Sequence, residues 1–547
     1  MFEKREDEVS LQSNKFDPDT IYEEIGGFGK FQIFVYVLIC IPLIIISCCN
    51  LSYIIVAGDL EYRCFIPECD IDHGNEALQW VHIAIPNKYD KLSKCERFAP
   101  VSGVNVTKDS VCPWSFNQSV VLTCDEFVYL THEHMLLNEF NLTCESNEWK
   151  LSIVGSLAYM AECISLPFIG LFADKYGRRP TLIGSITLVS IVGIAKTFSP
   201  NYLTFMILHF VGALFGAGVF SIVFVIGSEV VGPSGRGLGA AIISNAFSAS
   251  QMVIAVVTMF ITEFRALLRI LFGLAALTLT FLWLVPESVR WLFSVKEYRK
   301  GANILENVAK WNGRKLPADT LIELRKQNKS NLLLGETVKH GKDDVEYPVM
   351  TTLKSRILRN RLLNCCYCFF TNALIYFGLS VYSSSLPGDK HLNLLYVGAI
   401  ELPGNFSAHF VLKKFGRKSS LVFVMCTCSV ACIASEFVSD PTMKIILFLL
   451  GKFAVALSYT ILNLYTIELF PTNLRQSMFN ICTVFAGCGN IIAPLLPLTR
   501  KILPSFPLIL FAGTSFSSAL LMLLLPETKN KPMPDTIDEA IHIGDKN

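Results

Sequence analysis

A short charged segment, Gly170 to Pro180, lies between two long apolar runs. Asp174, Lys175, Arg178 and Arg179 cannot sit in hydrocarbon, so the segment is a tight turn at a membrane surface. A degenerate copy occupies 408–419, with Gly416-Arg417-Lys418 in place of Gly177-Arg178-Arg179 and Lys413 in place of Asp174. Two further landmarks repeat in step. Glu229 and Arg236 match Glu468 and Arg475, and Pro286-Glu287-Ser288 matches Pro526-Glu527-Thr528. Glu229 follows Asp174 by 55 residues, and Glu468 follows Lys413 by 55. Each landmark ends an apolar run, so the halves cross the membrane in the same direction.

Of the 547 residues, 52% are hydrophobic and only 17% are charged, against about a quarter charged in soluble domains. The charges cluster between apolar runs of about 20 residues, the length that crosses a bilayer as a helix. The fold class expected is an all-α membrane protein of twelve transmembrane helices. A net charge of +1 says nothing about partners, and no basic cluster interleaved with aromatics suggests nucleic acid. Residues 1–30 are polar and mixed in charge, without a cleavable signal pattern, and are expected in the cytoplasm.

The first span is placed at 31–56. Residues 57–148 contain no run long enough to cross. They hold Cys64, Cys69, Cys95, Cys112, Cys124 and Cys144, with Asn-x-Ser/Thr sequons at Asn105, Asn117 and Asn141. One span from a cytoplasmic start puts this loop outside, where six cysteines read as three disulfides in any of fifteen pairings and the sequons as glycosylation sites. Spans two to six fall within 149–285. The stretch 286–361 is rich in Lys and Arg and has no cysteine, as a cytoplasmic linker should; residues 297–311 look helical and amphipathic. Six more spans fall within 362–525, and 526–547 form a cytoplasmic tail.

Several stretches resemble solute carrier family 22, the organic cation and anion transporters of the major facilitator superfamily. They include 24–29, the six-cysteine loop ahead of Trp149, the Asp174 turn and Pro286 to Leu292. In the second half they are 370–379, Glu401-Leu402-Pro403-Gly404, 468–472 and 525–528. Parallel six-helix halves are the build of that superfamily. The resemblance implies a plasma-membrane carrier with cytoplasmic termini, working by alternating access on small organic cations or zwitterions. Organic anion exchange and a carrier-shaped receptor without flux are the alternatives. The outer loop offers a surface for homo-oligomerisation. No cofactor, metal or catalytic residue is expected, and no phosphate-binding loop points to ATP.

Asp174, Arg178, Arg179, Glu229, Arg236, Glu287 and Arg290, with Arg417, Glu468, Arg475 and Glu527, share one surface level and are expected to form a cytoplasmic gate. Opposite charges there would pair across the halves when the inner side is shut. Ionisable residues inside spans are functional candidates by default: Glu162, His209, Glu401 and Lys452, each also readable as a satisfied structural group. The resemblance places Glu401 in the central cavity as an amine-binding carboxylate. It puts Asn372, Thr460 and Gly487 where acids stand in various cation carriers, and Gly487 also where many anion carriers have arginine. Phe220, Phe224, Phe247, Phe369 and Tyr376 fall on cavity aromatics, with plain helix packing as the competing reading.

Overall fold

Hydrocarbon offers the backbone no hydrogen-bond partner, so a chain this apolar must close its peptide bonds within helices. The computed structural model describes residues 18–67, 70, 81–88, 91–101, 116–232, 235–295, 297–315, 355–386, 388–470, 475–499, 503, 505–529, 534 and 537–543. Its first half holds α1 (Lys30–Val56), α2 (Glu148–Tyr176), α3 (Arg178–Lys196), α4 (Tyr202–Val230), α5 (Arg236–Phe260) and α6 (Phe264–Leu282). Its second half holds α7 (Arg356–Tyr382), α8 (Lys390–Phe415), α9 (Arg417–Phe437), α10 (Pro441–Leu469), α11 (Arg475–Ile492) and α12 (Phe506–Met522). Among the described residues ten helices are long and apolar enough to cross a membrane. The two outside that set are α8, which carries Asn393, Glu401 and Asn405, and α12, which has 17 residues. Each half has its own apolar core, and the halves meet along α5 against α8 and α2 against α11.

The repeated landmarks converge in space. Gly177 takes φ +104° between α2 and α3, and Gly416 takes φ +89° between α8 and α9, a region L side chains rarely adopt. The next helix starts at once, leaving unpaired N–H groups at a positive helix end. In the first half Glu287 accepts from the N–H of Arg178 at 3.0 Å and of Arg179 at 3.3 Å. In the second, Glu527 accepts from Arg417 N–H at 2.9 Å and Lys418 N–H at 3.0 Å. A distant glutamate thus caps each turn, which is why the landmarks recur together.

The segment between α1 and α2 folds onto the bundle and defines its loop end. Tyr62–Cys64 pairs with Phe127–Tyr129, and Glu96–Pro100 with Phe116–Thr123, both antiparallel. Disulfides join Cys64 to Cys124 and Cys95 to Cys144; Cys69, Cys112 and Asn105 lie outside the described residues. Asn117 and Asn141 are exposed. The opposite end carries the Tyr298–Trp311 helix, held to α1 where Asn312 Oδ1 accepts from Phe31 N–H at 3.1 Å.

Glu287→Gln and Glu527→Gln each weaken a charge-assisted cap. Each is expected to cost about 1–2 kcal/mol, read as a lower Tm in detergent, with the second-half variant matching the first. An unchanged Tm in both would remove the capping role.

Candidate functional site

Where the halves meet, one polar network fills the middle of the bundle. Glu401 lies eleven residues into α8, about 17 Å from its start at 1.5 Å per residue. The side chains of Glu401 and Lys452 are both 0% exposed and pair at 2.9 Å. Lys452 Nζ also donates to Tyr376 O at 2.7 Å and Ser380 Oγ at 2.8 Å, and lies 3.5 Å from the Tyr376 ring centroid. Tyr376 Oη donates to Glu401 Oε2 at 2.6 Å. From the other half, Gln251 Nε2 donates to both carboxylate oxygens, at 2.8 and 2.9 Å. A buried ion pair holds only when its remaining donors and acceptors are satisfied, and here the carboxylate has three partners. Glu401 is therefore neutralised and enclosed by protein groups. One turn further from the loop end, Asn405 donates to Ser248 Oγ at 3.2 Å and accepts from Thr460 at 3.0 Å.

Aromatic rings continue from this network. Phe220 stacks on Phe224 with centroids 6.2 Å apart and meets Phe247 edge-on at 5.8 Å. Phe247 meets Phe377 across the halves at 6.5 Å, and Phe377 touches Tyr376 at 5.1 Å and Tyr159 at 5.1 Å. Tyr459 extends the row to Phe369 at 6.3 Å. Phe220 remains 40% exposed. The structure thus brings all five expected aromatics into one row. It does not bring Gly487 there: a Cβ on Gly487 would stand 2.1 Å from Cys163 Sγ of α2, so this position is spent on close helix packing. Asn372 is buried and donates to Cys368 O at 3.0 Å.

Every hydrogen bond described between the halves lies between the loop end and the Ser248–Asn405 level. Glu133, from the loop, contacts Lys390 and, at 3.2 Å, His391 at the start of α8. His391 also meets Thr258 of α5 at 2.9 Å, and Ser156 donates to Ile491 O at 2.7 Å. The His391 hydrogen bond, with Lys390 beside it, holds the Glu133 carboxyl down at about 2. A lowered carboxylate contributes stability above its unfolded pKa and loses it as pH falls through the folded one. Glu133 therefore stays ionised at any physiological pH.

At the other end the expected gate charges form two clusters, one per half. Arg178 stands 3.6 Å from Glu229, and Arg417 pairs with Glu468 at 2.7 Å. Arg179 caps Trp283 O at 2.6 Å. Among the described residues none of these pairs crosses between halves; the side chains of Asp174, Arg236 and Arg475 lie outside the description. Among the described residues the hydrogen bonds between the halves thus lie at the loop end and the middle of the bundle.

Gln251, Ser380, Phe377, Tyr459 and Tyr159 were not singled out from sequence. A polar residue such as Gln251 within an apolar span was the available signal for the first. Lys196 was also missed. It is buried, 3.1 Å from His209 Nδ1 and between the Phe205 and Phe272 rings, away from the row.

The model for the Major Facilitator Superfamily matches residues 133–412 and 398–542. An organic cation transporter 1 of Caenorhabditis elegans is 30% identical over 97% of this chain and 89% of its own length. The chain belongs to solute carrier family 22 of the major facilitator superfamily. An organic cation transporter protein of Drosophila melanogaster is 29% identical over 96% of the chain and 95% of its own length, and mouse solute carrier family 22 member 3 is 25% identical over 96% of both. The xylose transporter XylE from E. coli, in a partially occluded inward-open conformation, superimposes with TM-score 0.58 at 18% identity over 73% of this chain and 93% of XylE, a likeness of fold. As a member of this family the chain is a multi-pass membrane transporter of small organic substrates and not an enzyme.

Lys452→Ala strands Glu401 as a lone buried charge and is expected to cost about 3–5 kcal/mol. Lys452→Met with Glu401→Gln should recover most of it. Thermal melting in detergent checks both, and additive losses in the double variant would contradict the pairing.

Proposed function

We propose that this chain carries small organic cations or zwitterions across the plasma membrane by alternating access. The aromatic row from Phe224 through Phe377 to Phe369 carries the reading. Ring faces attract cations and pack on flat apolar bodies, worth about 0.5–2 kcal/mol per contact depending on desolvation. The relatives described as organic cation transporters support the same substrate class. Anion exchange finds less support. An organic anion transporter 3 of mouse is 26% identical, but Lys452 at the centre and Lys390 at the loop end, two lysines along the seam, are committed to Glu401 and Glu133.

In this reading the loop end faces outside and the linker end the cytoplasm, with both termini there. The state described is open inward. The Arg178–Glu229 and Arg417–Glu468 clusters are the two jaws of the inner gate, and they exchange partners across the halves when it shuts. Only a modest free-energy difference between states is needed for such a latch. Asn117 and Asn141 are glycosylation sites on the outer loop. Val120 and Val121, exposed on the Phe116–Thr123 strand, are the surface through which copies associate.

Uptake of labelled cations, zwitterions and anions by cells expressing the protein tests the substrate class. Cation or zwitterion uptake is expected, and Phe220→Ala should raise KM about three- to tenfold, with Phe220→Tyr near wild type. Uptake of anions alone would overturn the reading.

A further inference from the structure

We propose that Glu162, rather than Glu401, is the carboxylate that meets the positive group of the transported cation. The proposal rests on the cation reading above and names the charge that reading lacks. Glu401 has no vacant face, since Lys452, Tyr376 and Gln251 occupy both of its oxygens. The network it anchors is neutral, so it gives a cation no net attraction.

Glu162 differs on each count. It lies fourteen residues into the 29-residue α2, about 21 Å from the helix start at 1.5 Å per residue, near the depth of Glu401. Among the described residues its carboxylate has no hydrogen bond and no ion pair, and it is only half-buried. Lys196, the buried cation of the same half, is engaged with His209 instead.

The direction of the side chain follows from the helix. Met160, Ile164, Phe168 and Leu171 are the exposed stripe of α2, the side that meets lipid. At 3.6 residues per turn Glu162 points roughly 160° from the centre of that stripe. Its neighbours face other helices: Ala161 packs with Ala213 of α4, and Cys163 meets Gly487 of α11. Glu162 shares a face with Gly155, Tyr159 and Leu166 by i, i+3 and i+4 spacing. Tyr159 is the ring that joins Phe377 and hydrogen-bonds Tyr53 Oη at 3.3 Å, and both hydroxyls lie within electrostatic reach of Glu162. Glu162 therefore stands one turn from the aromatic row, on its linker side. An acid at membrane depth without a partner is costly; a cation held between it and the rings supplies a counter-charge that the described residues do not.

Uptake of labelled tetraethylammonium is measured for wild type, Glu162→Gln and Glu162→Asp, with surface abundance and Tm alongside. Glu162→Gln should raise KM at least tenfold with Tm unchanged, and Glu162→Asp should stay within about threefold of wild type. A second readout uses the unaltered protein: carbodiimide labelling of Glu162, followed by mass spectrometry, should be slowed by saturating tetraethylammonium. Cation uptake with an unchanged KM in Glu162→Gln, or labelling indifferent to the cation, overturns this inference and leaves the transport reading standing. Wild-type protein that moves no cation overturns both.

Discussion

The Glu401–Lys452 ion pair, with Gln251 reaching it from the other half, is the interaction on which the centre of this molecule depends. Two charges at membrane depth are tolerated because each satisfies the other and the remaining lone pairs have donors. Tyr376 serves twice, giving its hydroxyl to Glu401 and its carbonyl and ring to Lys452. α7, α8 and α10 are thereby tied into one unit, and at this depth the first-half side chain of Gln251 hydrogen-bonds it through Glu401, Tyr376 and Ser380. Gln251 brings a neutral donor to the charged carboxylate, so the link between halves has one charged partner where the Glu401–Lys452 link within the second half has two.

That asymmetry suits a molecule that must rock. Each half is internally braced at its linker end by a glutamate capping the next helix and by an arginine pair, Arg178–Glu229 or Arg417–Glu468. The seam between halves is a row of separable contacts: Ser248 to Asn405, Gln251 to Glu401, Thr258 to His391 and Glu133 to Lys390. Small residues let the seam close tightly, as at Gly398, where a Cβ would stand 2.8 Å from Met252 Cγ. Rigid halves joined by a breakable seam are what alternating access needs.

Much of the fold was legible in the sequence, because hydrocarbon permits few exceptions. Charged turns must lie at a surface, and the recurrence of Gly177-Arg178-Arg179 with Glu287 betrayed two copies before any contact was known. The capping geometry supplies the physical reason for that recurrence. The disulfide pairing was not legible, since spacing alone does not choose among connectivities. Nor were the short strands around Cys64 and Cys95, which lack a run of alternating residues. At the site, Phe220 and Phe224 were expected from the family resemblance, since spacing alone puts them only on one face of a helix. The fate of Glu401 was not. Its partner Lys452 lies 51 residues away, and only the rotation of α8 against α10 decides that the two meet. Glu162 stood out as an intramembrane acid, but that its carboxylate has no partner among the described residues shows only once the neighbouring helices are in place.

Alternating access requires the α5–α8 seam to open and close in each transport cycle. Cysteines at Met252→Cys and Gly398→Cys, placed where the backbones approach, would form a disulfide across it under mild oxidation. Uptake of a labelled organic cation by this variant is the direct test. Oxidation is expected to abolish uptake, and a reductant to restore it to the level before cross-linking. Full uptake by quantitatively cross-linked protein would show that substrate crosses without the seam parting, and would rule out a seam that opens in each cycle.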